Sequence, residues 1–246
     1  MWVPRWLGEI YAKLYVRFGT GLFTFQDARH ALSMDKSKLA VALSRLHSNR
    51  ILLVFRSRRP KLYRLLDPTN FLFLASGAIA NVDRIPQERY VKLLCDASRW
   101  IMRLIRPSSL AVYGSVARGS AEECSDLDLL VVSNAFTGSL CSRIDKLYEV
   151  ERRVGVELAW LREHGVFTRL SLYPLREEEA ERKPLLLLDL TEEAVILYDR
   201  NRFLETVLTG LRAKLLGMGA RKVVMAEGKW YWDLKPDYRF GDVIEI

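Results

Sequence analysis

The chain has 246 residues, half of them apolar, with 38 Lys and Arg against 30 Asp and Glu for a net charge of +8. That allows one large or two small folded domains and favours anionic partners. It argues against a helical membrane protein, because no apolar run approaches the roughly 20 residues of a span. It also argues against a disulfide-stapled scaffold, because Cys95, Cys124 and Cys141 have no metal or redox spacing.

Pro4 to Phe18 has helical spacing, with Trp6, Leu7, Ile10, Leu14 and Phe18 as its apolar stripe. Gly19 and Gly21 end it. Thr24 is placed to cap a second helix, Phe25 to Leu32, and Asp35 a third that runs to about Asn49. The third helix buries Leu39, Ala42, Leu43 and Leu46 and exposes Lys36, Lys38 and Arg45. Two extended runs follow, Ile51 to Phe55 and Lys61 to Leu65, around a basic tip of Arg56, Arg58 and Arg59. Three helices and a hairpin are the layout of a winged helix-turn-helix, with the third helix and the hairpin tip facing nucleic acid. Residues 1–66 hold thirteen Lys and Arg and only three Asp and Glu, so the positive charge is concentrated there. The nucleic-acid-binding residues expected are Lys36, Lys38, Arg45, Arg56, Arg58, Arg59 and Lys61. DNA is favoured over RNA, since the aromatics sit in apolar stripes rather than on an exposed sheet face. The competing use of such a domain is dimerisation or protein contact, and a homodimer is compatible with it.

Asp67 to Asn70 reads as a hinge, which puts the domain boundaries at 1–67 and 68–246. The apolar segment that follows it, 70–80, reads as a packed helix at the junction, and Asp83 to Pro86 is a turn. A long amphipathic helix, Gln87 to Arg106, comes next, with Tyr90, Leu93, Leu94, Ala97, Ile101 and Leu104 inward. Beyond residue 132, Ser139 to His164 is mainly helical and Gly155 is placed to divide it. Thr168 to Leu175 is a strand, Arg176 to Lys183 a charged helical turn, Ala194 to Tyr198 a strand and Asn201 to Leu216 a helix. Lys222 to Ala226 and Lys229 to Leu234 flank Glu227-Gly228 as a C-terminal hairpin. Its Trp230, Tyr231 and Trp232 suit core packing better than base stacking. His30, His47 and His164 share no ligand spacing and read as structural.

The informative stretch is Leu110 to Val132, LAVYGSVARGSAEECSDLDLLVV. An apolar strand ends in Gly114, where the backbone can approach a neighbour closely. Ser115 stands where a helix starts, a place that suits phosphate. Asp126 and Asp128 are two apart at the start of a second strand and share one face. Two adjacent carboxylates repel unless a cation lies between them, and magnesium, which shares oxygen ligands with substrate phosphates, meets that need. Asp-x-Asp alone is common on solvated strand edges; the conjunction with Gly-Ser and Gly119 is what carries the reading.

This stretch resembles the signature of the DNA polymerase beta-type nucleotidyltransferase superfamily, close to its small prokaryotic members. The resemblance implies an α+β fold, with a mixed sheet flanked by helices following the winged helix, a nucleoside triphosphate substrate and magnesium. It implies that Asp126 and Asp128 ligate metal as the catalytic pair, and that Gly114, Ser115, Arg118 and Ser125 bind nucleotide. The family adds a third carboxylate on a later strand. Neither face of Thr168 to Leu175 carries an acid, and Ser171 stands at that position. Glu157, Asp189 and Asp199 are the substitutes considered.

The function expected is transfer of a nucleoside monophosphate from the triphosphate to an acceptor hydroxyl on a protein, a nucleic-acid end or a small molecule. The alternative is a weakly active or inactive nucleotide- or DNA-binding regulator, antitoxin-like in character. A cytoplasmic location is expected from the reduced cysteines and the absence of a signal-peptide pattern. Scarce Asn and Gln beside abundant Arg, Glu and Leu point to a thermophile.

Overall fold

The computed structural model describes residues 3–226 and 230–237. Helices α1 (Arg5–Phe18), α2 (Phe25–Leu32) and α3 (Lys36–Ser48) come first, with the short strand β1 (Leu22–Phe23) between α1 and α2. Thr24 and Asp27 form a reciprocal capping box on α2, and the Asp35 carboxylate accepts the Ser37 and Lys38 N–H groups at the start of α3. Strands β2 (Leu52–Arg56) and β3 (Leu62–Leu65) pair antiparallel, and β1 adds to β3. The apolar stripe of α1 is Leu7, Ile10, Tyr11 and Leu14; Trp6, expected in it, is 39% exposed.

The alternation along β2 divides two cores. Leu52 joins α1 and α3 in the N-terminal core, while Leu53 and Phe55 point the other way into the main one. This strand is covered on both faces, as its unbroken apolar run requires.

The expected hinge is instead a helix start. Asp67 accepts the Asn70 N–H and Pro68 occupies the first turn of α4 (Pro68–Ala75). Asn70 is fully buried, and its side-chain amide donates to Asp67 and Asp96 at 2.7 and 2.8 Å. The long helix predicted from Gln87 is shorter: a 3₁₀ turn, Glu88–Tyr90, leads into α5 (Val91–Leu104). Leu104, expected inward, is exposed because it lies in the last turn.

A mixed sheet follows, in the order β6-β5-β4-β7, from β4 (Ser109–Tyr113), β5 (Leu127–Val132), β6 (Leu170–Leu175) and β7 (Val195–Asp199). β4 runs antiparallel to β5 and β7, and β5 runs parallel to β6. Leu110, Val112, Leu127, Leu129 and Val131 face α5, α7 (Leu140–Arg153) and α8 (Gly155–Glu163). Ala111, Leu130 and Val132 face α10 (Leu186–Glu193) and α11 (Phe203–Gly217). The short helices α6 (Gly114–Arg118) and α9 (Glu177–Glu181) complete the domain. Strands β8 (Arg221–Val224) and β9 (Trp230–Asp233) pair antiparallel as the expected hairpin; its Glu227-Gly228 tip lies outside the described residues.

The N-terminal unit is locked to this domain by buried charge. Arg64 on β3, 2% exposed, forms a two-pronged ion pair with Glu157 of α8 and lies 3.4 Å over the Trp160 ring. Its Nε donates to the Thr20 carbonyl at 2.7 Å. Lys92 reaches Glu157 at 3.0 Å and Asp96 at 2.7 Å. Glu88 binds His47, Arg50 and the Val54 N–H together. No described helix is long and apolar enough to cross a membrane.

Candidate functional site

The site lies where β4 ends and β5 begins. Tyr113 pairs in register with Asp128, and Asp128 with Ser171 of β6. Asp128 shares its strand face with Leu130 and Val132, so its carboxylate points to the α10 side of the sheet. Asp126 is exposed just before the strand, and its charge acts on Asp128.

Gly114 makes the turn possible. Its φ is +72°, and a Cβ built there would stand 2.4 Å from Asp128 Oδ2. Gly114→Ala is therefore expected to cost at least about 1–2 kcal/mol from the left-handed backbone alone, measured as a lowered urea midpoint. Gly119, at φ +79°, ends α6 against Pro86. Ser115 sits at the start of α6, partly exposed, and its carbonyl accepts the Ser120 N–H. The Ser125 hydroxyl accepts the Glu122 N–H at 2.8 Å and closes the loop before β5.

Burial is the main cause that raises the Asp128 carboxyl above the usual carboxylate range; Asp126 and Glu193 add to it. The Ser171 hydroxyl and the Arg118 charge pull the other way. Burial, with the Asp128 charge behind it, pushes the Tyr113 hydroxyl up to about 12.

The carboxylate that does reach this site is Glu193, at the end of α10. It accepts the Gly114 N–H at 2.9 Å on one oxygen and pairs with Arg118 Nη1 at 2.5 Å on the other. None of the three substitutes considered takes this place. Glu157 is spent on Arg64 and Lys92. Asp199 accepts the Leu204 and Glu205 N–H groups and the Ser109 hydroxyl. Asp189 accepts both the Trp230 and Trp232 indole N–H groups, at 3.0 and 2.9 Å. The C-terminal hairpin thereby abuts the site, with Arg118 4.6 Å and Lys222 4.5 Å from the Trp230 ring centre. Glu193 is missed by sequence reasoning because nothing local to it points to Gly114, 79 residues earlier in the chain.

Among the described residues no group of three or more His, Cys, Asp or Glu side chains is arranged to hold a metal. Asp126 and Asp128 are two hard oxygen donors at one strand start, and the charge of Asp126 adds to burial in disfavouring the ionised form of Asp128. Such a pair fits a divalent cation that takes its other ligands from phosphates and water.

The seven basic residues expected to meet nucleic acid, Lys36, Lys38, Arg45, Arg56, Arg58, Arg59 and Lys61, are all exposed. His47 and His164 are structural in their contacts, His47 with Glu88 and His164 stacked on Trp160 at 3.9 Å.

Residues 97–198 match a family model described as a nucleotidyltransferase domain. The match covers less than half of the chain, runs from within α5 to β7, and takes in Gly114, Arg118, Asp126, Asp128, Ser171 and Glu193. One solved structure, described as a crystal structure of the toxin-antitoxin with AMP-PNP, aligns with 50% of this chain and 91% of its own at 13% identity and a TM-score of 0.33. A likeness that slight carries no argument. No curated protein matches the chain.

Proposed function

We propose that the chain binds a nucleoside triphosphate with magnesium at Asp126 and Asp128 and transfers its nucleoside monophosphate to an acceptor hydroxyl, which loses its proton as the bond to the outer two phosphates breaks and pyrophosphate leaves. The observation that carries this reading is the convergence of Asp126, Asp128, the bare Gly114 backbone and Arg118 at one strand end. Asp126 and Asp128 would hold the metal, which would offset phosphate charge and polarise the reacting phosphoryl group. The Gly114 N–H, Ser115 and Arg118 would take the outer phosphates, and Ser125 would keep the loop that presents Asp126. Ser171 in the register position beside Asp128 leaves β6 without a carboxylate base, so deprotonation of the acceptor falls to solvent or to a group outside that strand. Incubation with each α-labelled triphosphate, followed by separation of protein, nucleic acid and small molecules, tests the reading. Label in no fraction, together with no nucleotide binding, would sink it.

We read residues 1–67 as a winged helix that grips DNA through α3 and the β2–β3 tip. Arg58→Ala/Arg59→Ala should weaken DNA binding uniformly across sequences and reduce the slope of log affinity against log salt by about 2. Fluorescence anisotropy over a salt series measures this, and an unchanged slope would remove the tip from the interface.

The second reading is a regulator that binds nucleotide or DNA without turnover. Ser171 favours it, since the strand that would supply a third acid has none.

A further inference from the structure

Two groups that the triphosphate reading assigns to phosphate are already engaged. The Gly114 N–H and the Arg118 guanidinium each donate to one oxygen of the Glu193 carboxylate, whose side chain is 6% exposed. A carboxylate and a phosphate present the same kind of anionic oxygens to such donors. The Gly114 N–H has a single proton and cannot serve both. Glu193 also brings negative charge toward Asp128, where a polyphosphate would bring more.

We propose that Glu193 is an internal occupant of the phosphate position, and that an incoming polyphosphate displaces it. This inference rests on the triphosphate reading above. The alternative role, a third metal carboxylate, is disfavoured by geometry: both oxygens face the donors, and no described trio of acids is disposed around a metal. Release requires little of the backbone. Leu187, Leu188 and Leu190 anchor α10 in the core, and Glu193 is its last residue, so a side-chain rotation frees the cradle. Arg118 then turns from Glu193 to the ligand. Because the Trp230 ring lies 4.6 Å from Arg118 and is tied to Asp189, the C-terminal hairpin registers the exchange. Nucleotide affinity is thus set by competition with a residue of the chain itself.

Calorimetric titration of wild type and Glu193→Gln with inorganic tripolyphosphate and with ATP, each with magnesium, tests the proposal. Gln keeps the shape and removes the charge, so Glu193→Gln is expected to bind both ligands about tenfold more tightly, as loss of one charge-assisted contact allows. Equal affinities overturn the inference and leave the triphosphate reading standing. Weaker binding by Glu193→Gln overturns it in favour of a ligand-holding role. Binding by neither protein overturns both. Should the variant fold poorly, hydrogen exchange on wild type decides: tripolyphosphate is expected to change the protection of residues 190–194 and 230–233, and unchanged protection there overturns the inference.

Discussion

Arg64→Met is expected to lower the stability of the whole chain by about 3 kcal/mol, within the range for removal of one partner of a buried ion pair. The substitution leaves Glu157, 5% exposed in its side chain, facing an apolar group in place of two guanidinium nitrogens. Lys92 at 3.0 Å still offsets part of that charge, which keeps the cost near the lower end of the range. Urea denaturation followed by far-ultraviolet circular dichroism measures it. A loss below about 1 kcal/mol would show that the pair is not the lock described here. Arg64→Met/Glu157→Met is expected to recover much of the loss, since replacing both charges with apolar groups removes the unpaired carboxylate. Wild type should unfold in one transition, because Leu53, Phe55 and Leu66 of the N-terminal part lie in the same core as α5 and the sheet.

Asp126→Asn/Asp128→Asn should weaken magnesium-dependent ATP binding by at least about a hundredfold, since second-shell changes alone cost 10–100-fold at metal sites. The same substitution should leave the fold as stable as wild type or more so at neutral pH. Burial, Asp126 and Glu193 all disfavour the charged form of Asp128. A carboxyl raised in this way carries a penalty that is absent below its ordinary range and grows as pH rises through its folded value. A neutral isostere removes that penalty. Titration calorimetry with ATP, GTP, CTP and UTP and a thermal scan together separate loss of site from loss of fold. Unaltered nucleotide affinity in the double variant would place the metal elsewhere or remove it from the reading.

Local signals were legible where one short segment contains its own cause. Thr24 with Asp27, and Asp35 with the N–H groups two and three residues on, cap helices by contacts that the sequence spells out. The strand ending in Gly114 and the carboxylates two apart were likewise local; Ser171 was placed by the family resemblance, and its pairing with Asp128 is a contact between strands far apart in sequence. Glu193 was not legible. It meets Gly114 across 79 residues, and it does so from the end of a helix whose position depends on packing against β4, β5 and α11. The local structure at Asp67 was ambiguous for a related reason. Asp67-Pro68 is both turn chemistry and helix-start chemistry, and burial of Asn70 against Asp96 decides between them. Glu157 looked available as an acid because nothing in the sequence reveals that Arg64, 93 positions earlier, points inward to meet it.

The buried pairing of Arg64 with Glu157 also fixes reach. A catalytic head on a loose tether would sweep a volume and react with whatever entered it. Here the basic face of α3 and the β2–β3 tip stand on the same solid frame as Asp126 and Asp128, because charge, aromatic stacking and shared core join them. Anything that face were to hold would keep one distance and one angle to Asp126 and Asp128, as a workpiece does in a jig. An acceptor carried on the held molecule would then be chosen by its position along that molecule more than by its own chemistry.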